Sequence, residues 1–88
     1  MKVQVRLFAA LAQHVPDSIR AHYPKGIHAG VPLEVELPEQ STLSDLVSLL
    51  GLPQDLVRVI FVNGRARSLD YGLSPGDEVG IFPPIGGG

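Results

Sequence analysis

The chain has no cysteine and no tryptophan. The first absence excludes disulfides, thiolate metal sites and a cysteine nucleophile, so the core must hold the domain without cross-links. Any sulfur chemistry must draw its sulfur from elsewhere. Charge is also scarce. Only 18% of residues are Asp, Glu, Lys or Arg, and the 7 basic residues are outnumbered by 9 acidic ones, for a net charge of −2. That balance argues against a nucleic-acid partner held by phosphate contacts. No apolar run approaches the roughly 20 residues of a membrane span. The opening Met1-Lys2-Val3-Gln4-Val5-Arg6 alternates and lacks a signal-peptide apolar core. The expectation is a soluble, cytoplasmic domain with neither membrane nor nucleic acid as partner. With 88 residues there is chain for one core only, and a hydrophobic share of 44% is too high for wholesale disorder.

What is present reads as strands around one helix. Val3, Val5 and Leu7 fall on one face of a strand over residues 2–8, with Gln4, Arg6 and Phe8 on the other. Ala9 to Gln13 favours a short helix. From His14 to Pro32 the pattern breaks up around Pro16, Pro24, Gly26 and Gly30, which reads as a Pro/Gly-rich insertion with one helical turn near Asp17 to His22. Leu33, Val35 and Leu37 then alternate with Glu34 and Glu36, predicting a strand antiparallel to the first. Leu43, Leu46, Val47 and Leu50, with Leu49 beside them, predict a helix of about ten residues. Ser41 or Thr42 caps it, Asp45 sits in its first turn, and Gly51 stops it.

Arg58 to Asn63 is a further strand. Asn63-Gly64 is a hairpin signal, and Arg65 to Leu69 is a short polar return. Ser74-Pro75-Gly76-Asp77 marks a turn before a last strand, Glu78 to Phe82. One helix covers one face of such a sheet. The fold class is therefore α+β, a β-grasp with a mixed four- or five-stranded sheet and one main helix packed on one face. The first and last strands lie side by side at its centre. Residues 1–85 form the domain, with the insertion at about 14–32, and 86–88 form a flexible Gly-Gly-Gly tail.

Two features point to function. Phe8, Phe61 and Phe82 fall on the face the helix leaves open, which predicts a partner-binding surface unless the insertion folds over it. The tail is sharper. Phe82-Pro83-Pro84-Ile85 runs into Gly86-Gly87-Gly88. Glycines are costly to order and make no side-chain contacts, so the tail builds nothing. The prolines stiffen a stem, the glycines present a backbone thin enough for a narrow channel, and the carboxyl of Gly88 is the functional group at the tip.

Gly76-Asp77-Glu78-Val79 followed by Ile81-Phe82-Pro83-Pro84-Ile85-Gly86-Gly87-Gly88 resembles the C-terminal signature of the MoaD/ThiS ubiquitin-like sulfur carriers. Val62-Asn63-Gly64 and the opening strand fit the same family, and the Phe-Pro-Pro stem leans toward its MoaD side, the small subunit of molybdopterin synthase. Three terminal glycines instead of two, and the long 14–32 segment, depart from the family pattern. The resemblance implies a non-catalytic carrier subunit. An adenylating activating enzyme, using ATP and Mg²⁺, converts Gly88 to an acyl-adenylate. A sulfur donor protein then supplies the sulfur for a Gly88 thiocarboxylate. Gly86 and Gly87 thread the partner's channel, while Phe8, Phe61, Phe82, Pro83, Pro84 and Ile85 bind the partner. The acceptor enzyme is the molybdopterin synthase large subunit or an equivalent, and the chain binds no cofactor itself.

The residues agree with chemistry done elsewhere. No Gly-Lys-Ser/Thr follows the glycines, as a P-loop requires. His14, His22 and His28 stand 8 and 6 positions apart, which fits no compact metal site. Asp77 and Glu78 are adjacent and point to opposite faces, so Asp77 reads as closing a turn. Ser41, Ser44 and Ser48 have no His to activate them. Arg65 and Arg67 guard an edge strand or grip an acidic partner. Glu34, Glu36, Glu39 and Asp45 read as solvated charge or as a patch steering a basic partner. The same carrier chemistry in thiamine synthesis, tRNA thiolation or ubiquitin-like conjugation stays open at this point, as does a purely non-covalent interaction module.

Overall fold

A computed structural model describes residues 1–84. The elements in chain order are β1 (Lys2–Leu7), α1 (Asp17–Arg20), β2 (Leu33–Glu36), α2 (Leu43–Leu49), β3 (Val59–Val62), β4 (Arg65–Arg67) and β5 (Glu78–Phe82). They form a mixed five-stranded sheet in the order β2-β1-β5-β3-β4, with β1 and β5 parallel and every other pair antiparallel. The first and last strands therefore lie together at the centre, as expected. Strict alternation sets the faces. Val3, Val5, Leu7, Leu33, Val35, Ile60, Val62, Val79 and Ile81 point into the core, and their neighbours point away from it.

Helix α2 covers that inner face. Leu43, Leu46, Val47 and Leu50 are fully buried and join the strand residues in one core. Its first turn is satisfied from two directions. Thr42 and Asp45 form a reciprocal cap, the Asp45 carboxylate accepting from the Thr42 N–H at 2.8 Å and the Thr42 hydroxyl oxygen from the Asp45 N–H at 3.3 Å. The N–H groups of Leu43 and Ser44 donate instead to the carbonyls of Tyr71 and Leu69, so the β4–β5 connection anchors the helix to the sheet. Two expectations need correcting. The helix has 7 residues rather than about ten, and Leu49 lies outside the apolar stripe with 44% of its surface exposed. One residue step turns a helix by about 100°, which carries Leu49 off the face that Leu50 shares. Ser41 is not the cap; its hydroxyl donates to the Pro38 carbonyl at 2.7 Å.

The Ala9–His14 stretch is a 3₁₀ turn rather than an α-helix. Ala9 enters it at φ 52° and no side chain caps it, so a short tight turn burying Leu11 and Ala12 is what forms. The 14–32 segment holds the helical turn expected near Asp17. It carries α1, and the Arg20 guanidinium donates to the carbonyls of Val15 and Ala12, stitching α1 to the preceding turn. Ile27 drops into the core, and burial pushes the phenol of Tyr23 up. Pro16 and Ile19 pack over Gly51 at the end of α2, while the Gly30 N–H donates to the Leu7 carbonyl at 2.8 Å beside β1. Among the described residues no helix is long and apolar enough to cross a membrane.

Gly51 combines a left-handed φ of +68° with an approach at which an added Cβ would lie 2.7 Å from Pro16 Cδ. Gly51→Ala is expected to lower stability by more than about 1 kcal/mol. An unchanged urea midpoint would contradict the packing of the 14–32 segment on α2.

Candidate functional site

The site is built on the sheet face that α2 leaves open. Strand β5 is held on both sides up to its last residue: the Phe8 N–H donates to the Ile81 carbonyl at 3.0 Å and the Arg58 N–H to the Phe82 carbonyl at 2.8 Å. Pro83 and Pro84 come next and bring no N–H, so the ladder ends there and the chain leaves from mid-sheet. Pro83 is half-buried and Pro84 exposed. Ile85 and the tail residues Gly86, Gly87 and Gly88 lie outside the described residues.

Three rings meet where the stem departs. Phe8 comes directly after β1, Phe61 sits on β3 and Phe82 ends β5. Phe8 and Phe82 stack with centroids 4.3 Å apart and planes 3° from parallel, and Phe61 meets Phe82 edge-on at 5.7 Å. Phe61 is 37% exposed, an apolar ring left open to solvent. Gly80 makes the arrangement possible. It lies opposite Arg6 on β1 and Phe61 on β3, and a Cβ there would come within 3.3 Å of the Phe8 ring. An open depression of about 590 Å³ runs over Gly80 along this face, from Gln4 and Glu78 past Arg6 to the rings, with Pro32 at its border. The 14–32 segment reaches the rim of the face, where Gly30 stands beside the Phe8 ring; Phe8 and Phe82 are half-buried and Phe61 is left exposed.

The other end of the face is polar and fixes the register. The Asn63 amide donates to Asp77 Oδ1 at 2.9 Å, and its oxygen accepts from the Glu78 N–H at 2.9 Å. Asp77 Oδ2 accepts from the Ser74 N–H at 2.8 Å, so this nearly buried carboxylate closes the turn. Asn63 also sits at φ 52°, as the hairpin before Gly64 requires. The Asn-Gly pair announced the turn in the sequence; the second task of the Asn63 side chain, clamping the start of β5, had no local signal. Gly80 was missed for the same reason, since only the pairing register shows what stands over it.

The remaining candidates do not assemble. His14, His22 and His28 are all exposed, and among the described residues no three His, Asp or Glu side chains gather as a metal site. Arg65 and Arg67 are exposed on the edge strand, with the Arg67 guanidinium 4.8 Å from the Tyr71 ring centre. Ser44 is half-buried and Ser48 exposed on α2. Glu34 lies 3.8 Å from Lys2, both well exposed, and Glu39 lies 3.8 Å from the amino group of Met1. The described face offers rings and hydrogen-bonded scaffolding but no acid–base pair in a cleft.

Comparison with known proteins agrees with this geometry. The model of the ThiS family matches residues 26–88. No curated protein sequence matches the chain. Among solved structures, a Pyrococcus furiosus protein assigned as molybdopterin converting factor subunit 1 is 30% identical, with a TM-score of 0.65 over 97% of this chain and 99% of that one. SAMP1 of Haloferax volcanii superposes with a TM-score of 0.64 at 22% identity, over the whole of both chains. A chain from the complex of subunits 1 and 2 of the Helicobacter pylori molybdopterin-converting factor gives 0.57 at 21% identity, again over the whole of both. The last two likenesses speak to the fold, which is the ubiquitin-like β-grasp.

Gly80→Val is expected to separate the Phe8 and Phe82 rings while leaving unfolding cooperative. The check is the loss of mutual ring-current shifts in the NMR spectrum, and unchanged shifts would contradict the stack. Asn63→Ala removes both side-chain bonds and the residue suited to positive φ. It is expected to cost about 1–3 kcal/mol in denaturant unfolding.

Proposed function

Because the chain belongs to the ThiS family, we propose that it is a sulfur carrier whose Gly88 carboxyl is converted by partners into a thiocarboxylate for molybdopterin synthesis. The observation that carries this reading is the exit of the chain. A central strand pinned on both sides ends at Phe82, beside the rings of Phe8 and Phe61, and continues through Pro83-Pro84 toward the glycines. In this reading the face is a handle, and Pro83-Pro84 is the stem that joins it to the glycines.

The division of labour rests on elementary chemistry. An α-carboxylate has a pKa near 3.5, so it is ionised at neutral pH and resists nucleophilic attack. It must be activated. In the proposed cycle a carboxylate oxygen of Gly88 attacks the α-phosphorus of Mg²⁺-bound ATP in the adenylating enzyme, and pyrophosphate leaves. The terminal sulfur of a persulfide on the donor protein attacks the acyl carbon and AMP leaves; a thiol then cleaves the resulting acyl disulfide, releasing the Gly88 thiocarboxylate and leaving a disulfide on the donor side. In the large subunit of molybdopterin synthase the thiocarboxylate sulfur then attacks a carbon of a pterin precursor and an oxygen leaving group departs; water cleaves the resulting thioester, leaving the sulfur on the pterin and returning the Gly88 carboxylate. The carrier contributes no acid or base. It contributes a chain end without Cβ atoms at Gly86, Gly87 and Gly88, which enters channels closed to other residues. Phe8, Phe61, Phe82, Pro83, Pro84 and Ile85 dock it on each partner in turn.

The molybdopterin branch is supported by the 30% identity to the Pyrococcus furiosus protein and by the likeness to a chain from the Helicobacter pylori complex of subunits 1 and 2. The likeness to SAMP1, a small archaeal modifier protein, supports a second reading in which Gly88 is joined to protein lysines.

Incubation with an adenylating enzyme, ATP, Mg²⁺ and a sulfur donor is expected to raise the intact mass by about 16 Da, the exchange of one oxygen for sulfur. Deleting Gly88 is expected to abolish the gain with no change in thermal unfolding. A chain whose mass never changes, or one that transfers sulfur without Gly88, overturns the proposal. An isopeptide bond from Gly88 to a lysine favours the second reading.

A further inference from the structure

We propose that Arg6 is a specificity residue of the docking face, and that the partner protein presents a carboxylate to it from within an apolar surface. The inference rests on the docking role proposed for the aromatic face and adds the chemistry of the partner.

Alternation on β1 places Arg6 on the same side as Phe8. Across the sheet it faces Gly80, and Phe61 stands on the far side of that glycine. Arg6, the rings of Phe8, Phe61 and Phe82, and Glu78 line one shared depression, open at its centre where Gly80 has no side chain. Arg6 is exposed to solvent. The ion pairs among the described residues are Met1–Glu39 and Lys2–Glu34, so the Arg6 guanidinium pairs with none of the described carboxylates. The nearest carboxylates by register are Glu78, which lines the same depression and makes no ion pair with Arg6, and Glu34, which stands opposite Gln4 and pairs with Lys2.

In the free domain, water solvates Arg6 and nothing more is needed. Docking changes that. A partner that covers Phe8, Phe61 and Phe82 removes water from the depression they share with Arg6. A guanidinium taken out of water without a counter-charge is strongly unfavourable, and the apolar contacts cannot offset it. The partner must therefore bring an acceptor, and the planar fork of arginine matches a carboxylate with two parallel hydrogen bonds. The source is an Asp or Glu side chain, or a chain-terminal carboxyl, ringed by apolar residues that meet the three phenylalanines. A partner with an apolar surface but no carboxylate at this point is rejected. A basic one is rejected more strongly.

The test measures binding of the full chain to a recombinant molybdopterin synthase large subunit by calorimetry, at two salt concentrations. Arg6→Gln is expected to weaken binding by at least about 30-fold, the loss typical of removing one partner from a desolvated charge pair. Arg6→Glu is expected to weaken it further, and Arg6→Lys to restore part of it. Glu78→Gln is expected to bind like wild type. Phe82→Ala serves as the reference for loss of the face, and thermal unfolding of each variant reports its fold. Wild-type affinity in Arg6→Gln alongside loss in Phe82→Ala overturns the inference. So does an equal loss in Glu78→Gln, which would make the counter-charge internal. Intact mass after incubation with the adenylating enzyme separates the two levels. A wild-type chain that gains the thiocarboxylate while Arg6→Gln binds normally defeats only the role of Arg6. A wild-type chain that neither gains sulfur nor binds the subunit defeats the carrier reading and this one together.

Discussion

Everything in this domain depends on the parallel pairing of β1 with β5. Gln4 donates to the Asp77 carbonyl at 2.9 Å and Phe8 to the Ile81 carbonyl at 3.0 Å, so the pairing is bonded from one end to the other. It joins residues more than 70 positions apart in the chain, the most expensive kind of contact to close. Without it the sheet splits into a two-stranded β1–β2 ribbon, at best marginal in water, and a separate β5-β3-β4 unit. With it, Val3, Val5, Leu7, Val79 and Ile81 form the floor on which α2 packs. The same pairing brings Phe8 over Phe82 and leaves the chain pointing out of the middle of the sheet rather than off an edge.

The two faces then take different work. The inner face carries stability: its side chains are buried, and the reciprocal Thr42–Asp45 cap and the donors to Tyr71 and Leu69 hold its helix in place. The outer face is free of that burden. Gly80 at its centre would be a poor strand residue in any fold that needed packing on both sides. Here it makes room beneath two stacked rings. In the proposed cycle the domain meets at least two enzymes in succession, and a rigid aromatic surface suits that role because little side-chain freedom is lost at each encounter.

Much of this was legible in the sequence because alternation is a direct record of pleat. Val3-Gln4-Val5-Arg6-Leu7 and Leu33-Glu34-Val35-Glu36 gave both faces of both strands, and Glu78 to Phe82 gave the last strand to the residue. Short apolar runs were harder. Leu49 looked like a core residue because leucine beside leucine hides the 100° step between them. The 14–32 segment showed no period because tertiary contacts hold it: the Arg20 guanidinium on two carbonyls, Pro16 over Gly51, Ile27 in the core. The phenylalanines of the open face were found by subtraction, as apolar residues with no place under one helix. Arg6, Gly80 and Asn63 were not. What they do depends on the neighbour across the ladder, and register is a property of the pairing rather than of either strand.

The aromatic cluster draws its three rings from positions 8, 61 and 82, on or beside three strands that become adjacent only when the sheet is whole. A partner that grips all three is therefore reading the completeness of the fold as well as its identity. A copy in which the sheet is incomplete would offer such a partner one ring or two in place of the cluster. Under the proposed docking role, recognition of the handle and recognition of the folded state are one and the same contact.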